Sequence, residues 1–132
     1  MKYILMMTGT KAAFEWYAKW STEDLQRNMA FMRTFNKELK DLGVFVSSEG
    51  LAWPDQAKIV RAGEDGAPIT DGVFPESKEF LAGYWIIDVE SAEQAYKLAA
   101  RLSLAPAPKG TEGTMPVEVR QVMSGAPEEL LR

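Results

Sequence analysis

Two segments of this chain are apolar on both of their alternating faces: "KYILMM", residues 2–7, and "AGYWIIDV", residues 82–89. Successive side chains of a strand point to opposite sides of a sheet. The first segment therefore sets Tyr3, Leu5 and Met7 against Ile4 and Met6, and the second sets Trp85 and Ile87 against Tyr84 and Ile86. Leaving either row in water forgoes about 1.5–3 kcal/mol for each large side chain. It also exposes a larger apolar patch than monomers usually carry. Such strands call for a sheet that is covered on both sides.

The chain supplies helices enough for one side. Ser21 and Thr22, followed by Glu23 and Asp24, form an N-cap and acidic first turn, after which Leu25, Met29, Met32, Phe35, Leu39 and Leu42 recur at helical steps. Lys37 and Lys40 suit the negative end of that helix, and Gly43 is its expected stop. A second helix starts at Ser91, whose capping partner is Gln94, and carries Ala95, Ala99 and Leu102 on one face. Between the helices, "VFVSSEGLAW" and "AKIVRAG" read as strands parted by "PDQ", and "EDGAP" turns the chain back into the short strand "PIT". A Pro- and Gly-rich loop over 103–114 precedes the last strand, "MPVEVRQVM".

This order predicts an α+β fold: a ferredoxin-like βαββαβ sheet with both helices on one face. The uncovered face is expected to meet a second copy around a two-fold axis, giving a homodimer built as a dimeric α+β barrel. At 132 residues the chain suits one domain, here residues 1–123, with a tail at 124–132.

Composition narrows the chemistry. There is no Cys and no His, so disulfides, thiolate nucleophiles, imidazole bases and His- or Cys-ligated metals are excluded. An enzyme on this chain would be a metal-free acid–base catalyst working through carboxylates, Lys or Tyr, and no cofactor is expected. With 15 basic and 19 acidic side chains and a net charge of −4, the chain lacks the basic stripe that a nucleic acid needs. No apolar run approaches the length of a membrane span and the N-terminal run is too short for a signal peptide, so the expectation is a cytoplasmic protein with no membrane partner.

The densest cluster of functional side chains is "TDGVFPESKE", residues 70–79. Asp71 and Gly72 have the chemistry of a turn. Glu76, Lys78 and Glu79 then crowd the entry to the strand at 82–89, where the mouth of a barrel would lie. If Lys78 turns inward beside Asp71, the two form a coupled pair that can hold a polar ligand or exchange a proton; if it turns outward, the pair is solvated. Asp71 and Lys78 are accordingly the candidate catalytic residues, and Glu76, Glu49, Tyr84 and Trp20 the candidate ligand contacts. Glu49 is the other strand carboxylate that could join Asp71 if the strand ends converge. Phe14, Trp16, Tyr17 and Trp20 either line a cleft or cap the sheet, and packing is the commoner use of aromatics. "GTEGT" has glycines but not the strand–loop–helix setting of a phosphate cradle.

Four segments, "KYILMM", "GLAWPDQAKIVR", "TDGVFPESKEFLAGYWIIDVES" and "VEVRQVM", together make the chain resemble the DGPF-domain family within the YCII-related group. The naming motif of that family, Asp-Gly-Pro-Phe, stands here as Asp71, Gly72, Val73 and Phe74. The resemblance implies a dimeric α+β barrel with a cleft of undetermined chemistry. Related members use a His–Asp pair, and this chain has no His to fill that role. It also implies an association with extracytoplasmic-function sigma factors. Two functions follow as expectations: binding of a small polar molecule in a cleft near the Asp-Gly-x-Phe segment, or service as a regulatory accessory module for such a sigma factor.

Overall fold

The computed structural model describes residues 1–72, 78–108 and 115–123. Its main sheet holds four antiparallel strands in the order β2 (Phe45–Gly50), β5 (Phe80–Asp88), β1 (Lys2–Gly9) and β6 (Glu118–Gln121). Helix α2 (Thr22–Asp41) follows the first of these in sequence and α3 (Ala92–Leu102) precedes the last, which is the ferredoxin-like arrangement. A separate two-stranded ribbon, β3 (Lys58–Ala62) with β4 (Pro68–Gly72), is inserted between β2 and β5.

Both helices pack on the same face of the sheet. Tyr3, Leu5, Trp85 and Ile87 from the sheet are buried with Phe35 and Leu39 of α2 and Ala95, Ala99 and Leu102 of α3. The opposite row, Ile4, Met6, Tyr84 and Ile86, remains half-buried, and the strand register pairs Ile4 with Ile86 and Met6 with Tyr84. The two-faced reading of β1 and β5 thus places each residue on its expected side.

The helix ends follow local chemistry. Ser21 Oγ accepts from the Asp24 N–H at 3.1 Å, and Ser91 Oγ accepts from the Gln94 N–H at 3.2 Å, each relieving a donor that the first turn cannot satisfy. At the other end of α2, Gly43 takes a left-handed φ of +73° while Gly43 N–H donates to Lys40 and Val44 N–H donates to Leu39. This is the paired-carbonyl closure that glycine permits at a helix C-terminus. The ribbon turns through Glu64, Asp65 and Gly66, with Gly66 at φ +82° and Asp65 Oδ1 accepting from the Ala67 N–H.

Two features differ from the sequence reading. Residues Lys11–Ala18, which lie outside the two helices expected from the sequence, form a third helix, α1, capped by Thr10 Oγ1 accepting from the Ala13 N–H. It buries none of its residues, so the periodic burial that normally reveals a helix is missing. On α2 the inward stripe is also rotated: Met29 and Leu42 are exposed, and Asn28 is buried. At that point Asn28, beside the cavity described below, takes the inward place that the spacing gave to Met29.

Candidate functional site

A cavity of about 470 Å³ lies between the inner face of the sheet, α1 and α2. Its origin can be traced to the residues under it. Gly50 of β2 stands directly opposite Gly83 of β5, and Gly83 stands opposite Met7 of β1. These positions continue the inward row of Trp85 and Leu5, where large side chains would otherwise meet the helices. Two adjacent glycines leave bare backbone instead. Gly83 also cannot readily carry a Cβ, which would sit 3.0 Å from the Glu49 carbonyl oxygen, whereas a Cβ on Gly50 meets nothing within 4 Å. The edge strand therefore approaches closely at one glycine and opens space at the other.

The walls are aromatic. Phe14 and Tyr17 come from α1, Trp20 from its exit, Trp53 from the turn ahead of the 3₁₀ segment Pro54–Gln56, and Trp85 from β5. The rings brace one another edge-on or tilted: Phe14 to Trp53 at 5.7 Å, Tyr17 to Trp20 at 4.8 Å, and Tyr17 to Trp53 at 6.2 Å between centroids. Helix α1 has no buried residue because much of its inner side faces this space rather than packed side chains.

Polar groups enter from α2. Asn28, Met32 and Asn36 line the cavity at four-residue steps, one face of the helix. Trp85 Nε1–H donates to Asn36 Oδ1 at 2.6 Å, and Asn28 Nδ2–H donates to the Pro106 carbonyl at 3.1 Å. An indole N–H can only donate and a carbonyl can only accept, so these partners fix how each amide is turned. Asn36 keeps its NH₂ group without a partner among the described residues, and Asn28 likewise keeps its carbonyl oxygen. Trp20 is only 7% exposed, and its Nε1–H is buried with no partner among the described residues. An orphaned buried donor costs about 1–3 kcal/mol.

The residues singled out from the sequence divide between this cavity and other places. Trp20 and Glu49 are at the cavity. Glu49 pairs with Tyr84 across β2 and β5, so its carboxylate belongs to the face away from the helices and the strand backbone forms the wall. Tyr84 lies on that outer face. Asp71 is on β4, 56% exposed at its side chain, and pairs with Arg61 Nη2 at 3.1 Å. The ribbon register sets Asp71 opposite Ile59 and diagonal to Arg61. Lys78 Nζ stands 5.5 Å over the Phe80 ring. Glu76, with Val73, Phe74 and Pro75, lies outside the described residues.

Asn28 and Asn36 were not found by sequence reasoning. Their eight-residue spacing, in phase with Phe35 and Leu39, was the available signal. Among the described residues, no group of three or more acidic side chains gathers where it could hold a metal ion. No helix among them is long and apolar enough to cross a membrane.

A comparison with curated proteins found no match. The family model of the YCII-related domain matches residues 1–122, nearly the whole chain and all of the elements just described. The chain therefore belongs to the YCII-related family.

Proposed function

We propose that this chain binds a small molecule in the cavity between α1, α2 and the sheet. The observation that carries the reading is the half-open cavity of about 470 Å³, walled by aromatic rings and holding the buried Trp20 Nε1–H, which has no partner among the described residues. Apolar walls with a few convergent polar groups are the general form of a ligand site. This moves the site from the Asp-Gly-x-Phe segment to the interior beside Trp20. Gly50→Phe is the direct test, because its ring would enter the cavity from a position where added atoms meet no neighbour. In a ligand-observed NMR screen of small aromatic compounds, wild type is expected to give binders that the variant loses. Binders that persist in the variant would contradict the reading.

We also propose that the half-buried row Ile4, Met6, Tyr84 and Ile86 is the contact face of a homodimer. Sedimentation should give twice the mass of 14.7 kDa for wild type, and Met6→Asp should shift it toward the single mass. The alternative function, an accessory module for an extracytoplasmic-function sigma factor, rests on the sequence resemblance; a stable co-purifying sigma factor would favour it over the binding role.

A further inference from the structure

The same cavity narrows the ligand, on the reading that it is a binding site. Its polar groups are sorted by position and by kind. Asn28 and Asn36 are eight residues apart on one helix, about 12 Å along the axis at the usual rise of ~1.5 Å per residue. Met32 stands between them. Trp20 directly precedes the N-cap Ser21 and so belongs to the Asn28 end. One end therefore offers the NH₂ of Asn36 and the other the carbonyl of Asn28, neither with a partner among the described residues.

Charge is absent from this pattern among the described residues. Among the described residues no Lys, Arg or Asp lines the cavity, and the carboxylate of Glu49 belongs to the outer face of the sheet. A buried anion would find no cation among the described residues, and burying an uncompensated charge is far costlier than burying a hydrogen-bonded neutral group. The braced rings of Phe14, Tyr17, Trp20 and Trp53 offer flat apolar walls for the intervening body.

We infer that the cavity takes a neutral, elongated aromatic molecule with a carbonyl at the Asn36 end and a hydroxyl at the Asn28 end. The hydroxyl donates to Asn28 Oδ1, and the carbonyl accepts from Asn36 Nδ2–H. Aryl ketones bearing a distant phenol meet this description.

Isothermal titration with 4′-hydroxyflavone, flavone and flavone-4′-carboxylate tests it on wild type and three variants. Wild type should bind 4′-hydroxyflavone about tenfold more tightly than flavone, the worth of one added hydrogen bond, and the carboxylate more weakly than either. Asn36→Asp keeps the acceptor for Trp85 but loses the NH₂ group. It should weaken both neutral flavones about tenfold while preserving the advantage of the hydroxyl. Asn28→Leu should erase that advantage and leave flavone unchanged, and the Asn36→Asp result stands even if Asn28→Leu fails to fold. Equal affinity for the two neutral flavones, or preference for the carboxylate, with binding still lost in Gly50→Phe, would overturn the ligand class and leave the cavity as the site. No binding of any flavone, or binding undiminished in Gly50→Phe, would overturn both.

Discussion

The four-stranded sheet and the β3–β4 ribbon draw on the same kinds of residue and reach opposite environments. Ile59, Val60 and Ile69 of the ribbon are as strand-prone as Ile86 and Ile87 of β5, yet all ten ribbon residues are exposed while Ile87 is fully buried. The difference lies in cover. β5 is flanked by two strands and roofed by α2 and α3, whereas among the described residues the ribbon has one partner strand and no buried residue in the core that the helices cover. An isolated two-stranded hairpin is marginal in water. β-propensity thus makes a strand, and cover decides whether it can enclose anything. The cavity is found where cover and a gap in side chains coincide, and Asp71, the acidic residue that drew attention in the sequence, stands exposed among the described residues.

Substitutions can press on this contrast from both sides. The largest effect is expected at Phe35, fully buried and edge-on to Trp85 at 5.7 Å: Phe35→Ala should cost about 3–5 kcal/mol in a denaturant titration. A cost below about 1 kcal/mol would mean that the helix-covered face is not the core.

Next come the paired glycines. Gly83→Ala brings a Cβ to 3.0 Å from the Glu49 carbonyl and should cost about 1–3 kcal/mol, while Gly50→Ala, with nothing within 4 Å, should be close to neutral. Equal costs would deny that one glycine serves close approach and the other serves space.

Ribbon substitutions should be smaller. Val60→Thr, 58% exposed, is expected within about 0.5 kcal/mol of wild type, and Asp71→Ala, which breaks an exposed pair with Arg61, within about 1 kcal/mol. A loss above about 2 kcal/mol at Val60 would break the comparison by showing the ribbon covered in the assembled protein.

The smallest effect belongs to the fully exposed pair of Lys37 and Asp41. The Asp41 carboxylate, accepting from Lys37 Nζ at 2.7 Å, raises the lysine above its ordinary pKa through that hydrogen bond and then through charge attraction. A raised folded-state pKa gives stability that is complete below the unfolded value and is lost as pH rises through the folded one. Asp41→Asn should therefore differ slightly from wild type at neutral pH, and the difference should close in alkaline solution above the lysine range. A difference that widens there would reverse the sign.

Much of the fold was legible because it rests on short-range chemistry. The serine caps, the stop at Gly43 and the alternation of β1 and β5 need only neighbouring residues, and together they order the main elements. The site was less legible for a physical reason. The cavity depends on Gly50 meeting Gly83 across 33 positions of sequence, a coincidence that only the strand register creates. Helix α1 was missed because a helix facing an open space lacks the buried stripe that marks one in sequence. Asn28 was passed over because polar residues usually face water, and here it is held by the Pro106 carbonyl from 78 residues away. Among the expected contacts that are described, Trp20 alone is both inside and polar-tipped, its N–H without an acceptor among the described residues.

The most direct test is native mass spectrometry of wild type and Gly50→Phe, each purified gently from the protein's own host. The expected result is a small-molecule mass increment retained by wild type and absent from the variant. An increment of equal size on both proteins, or none on either, would contradict a binding role for the cavity.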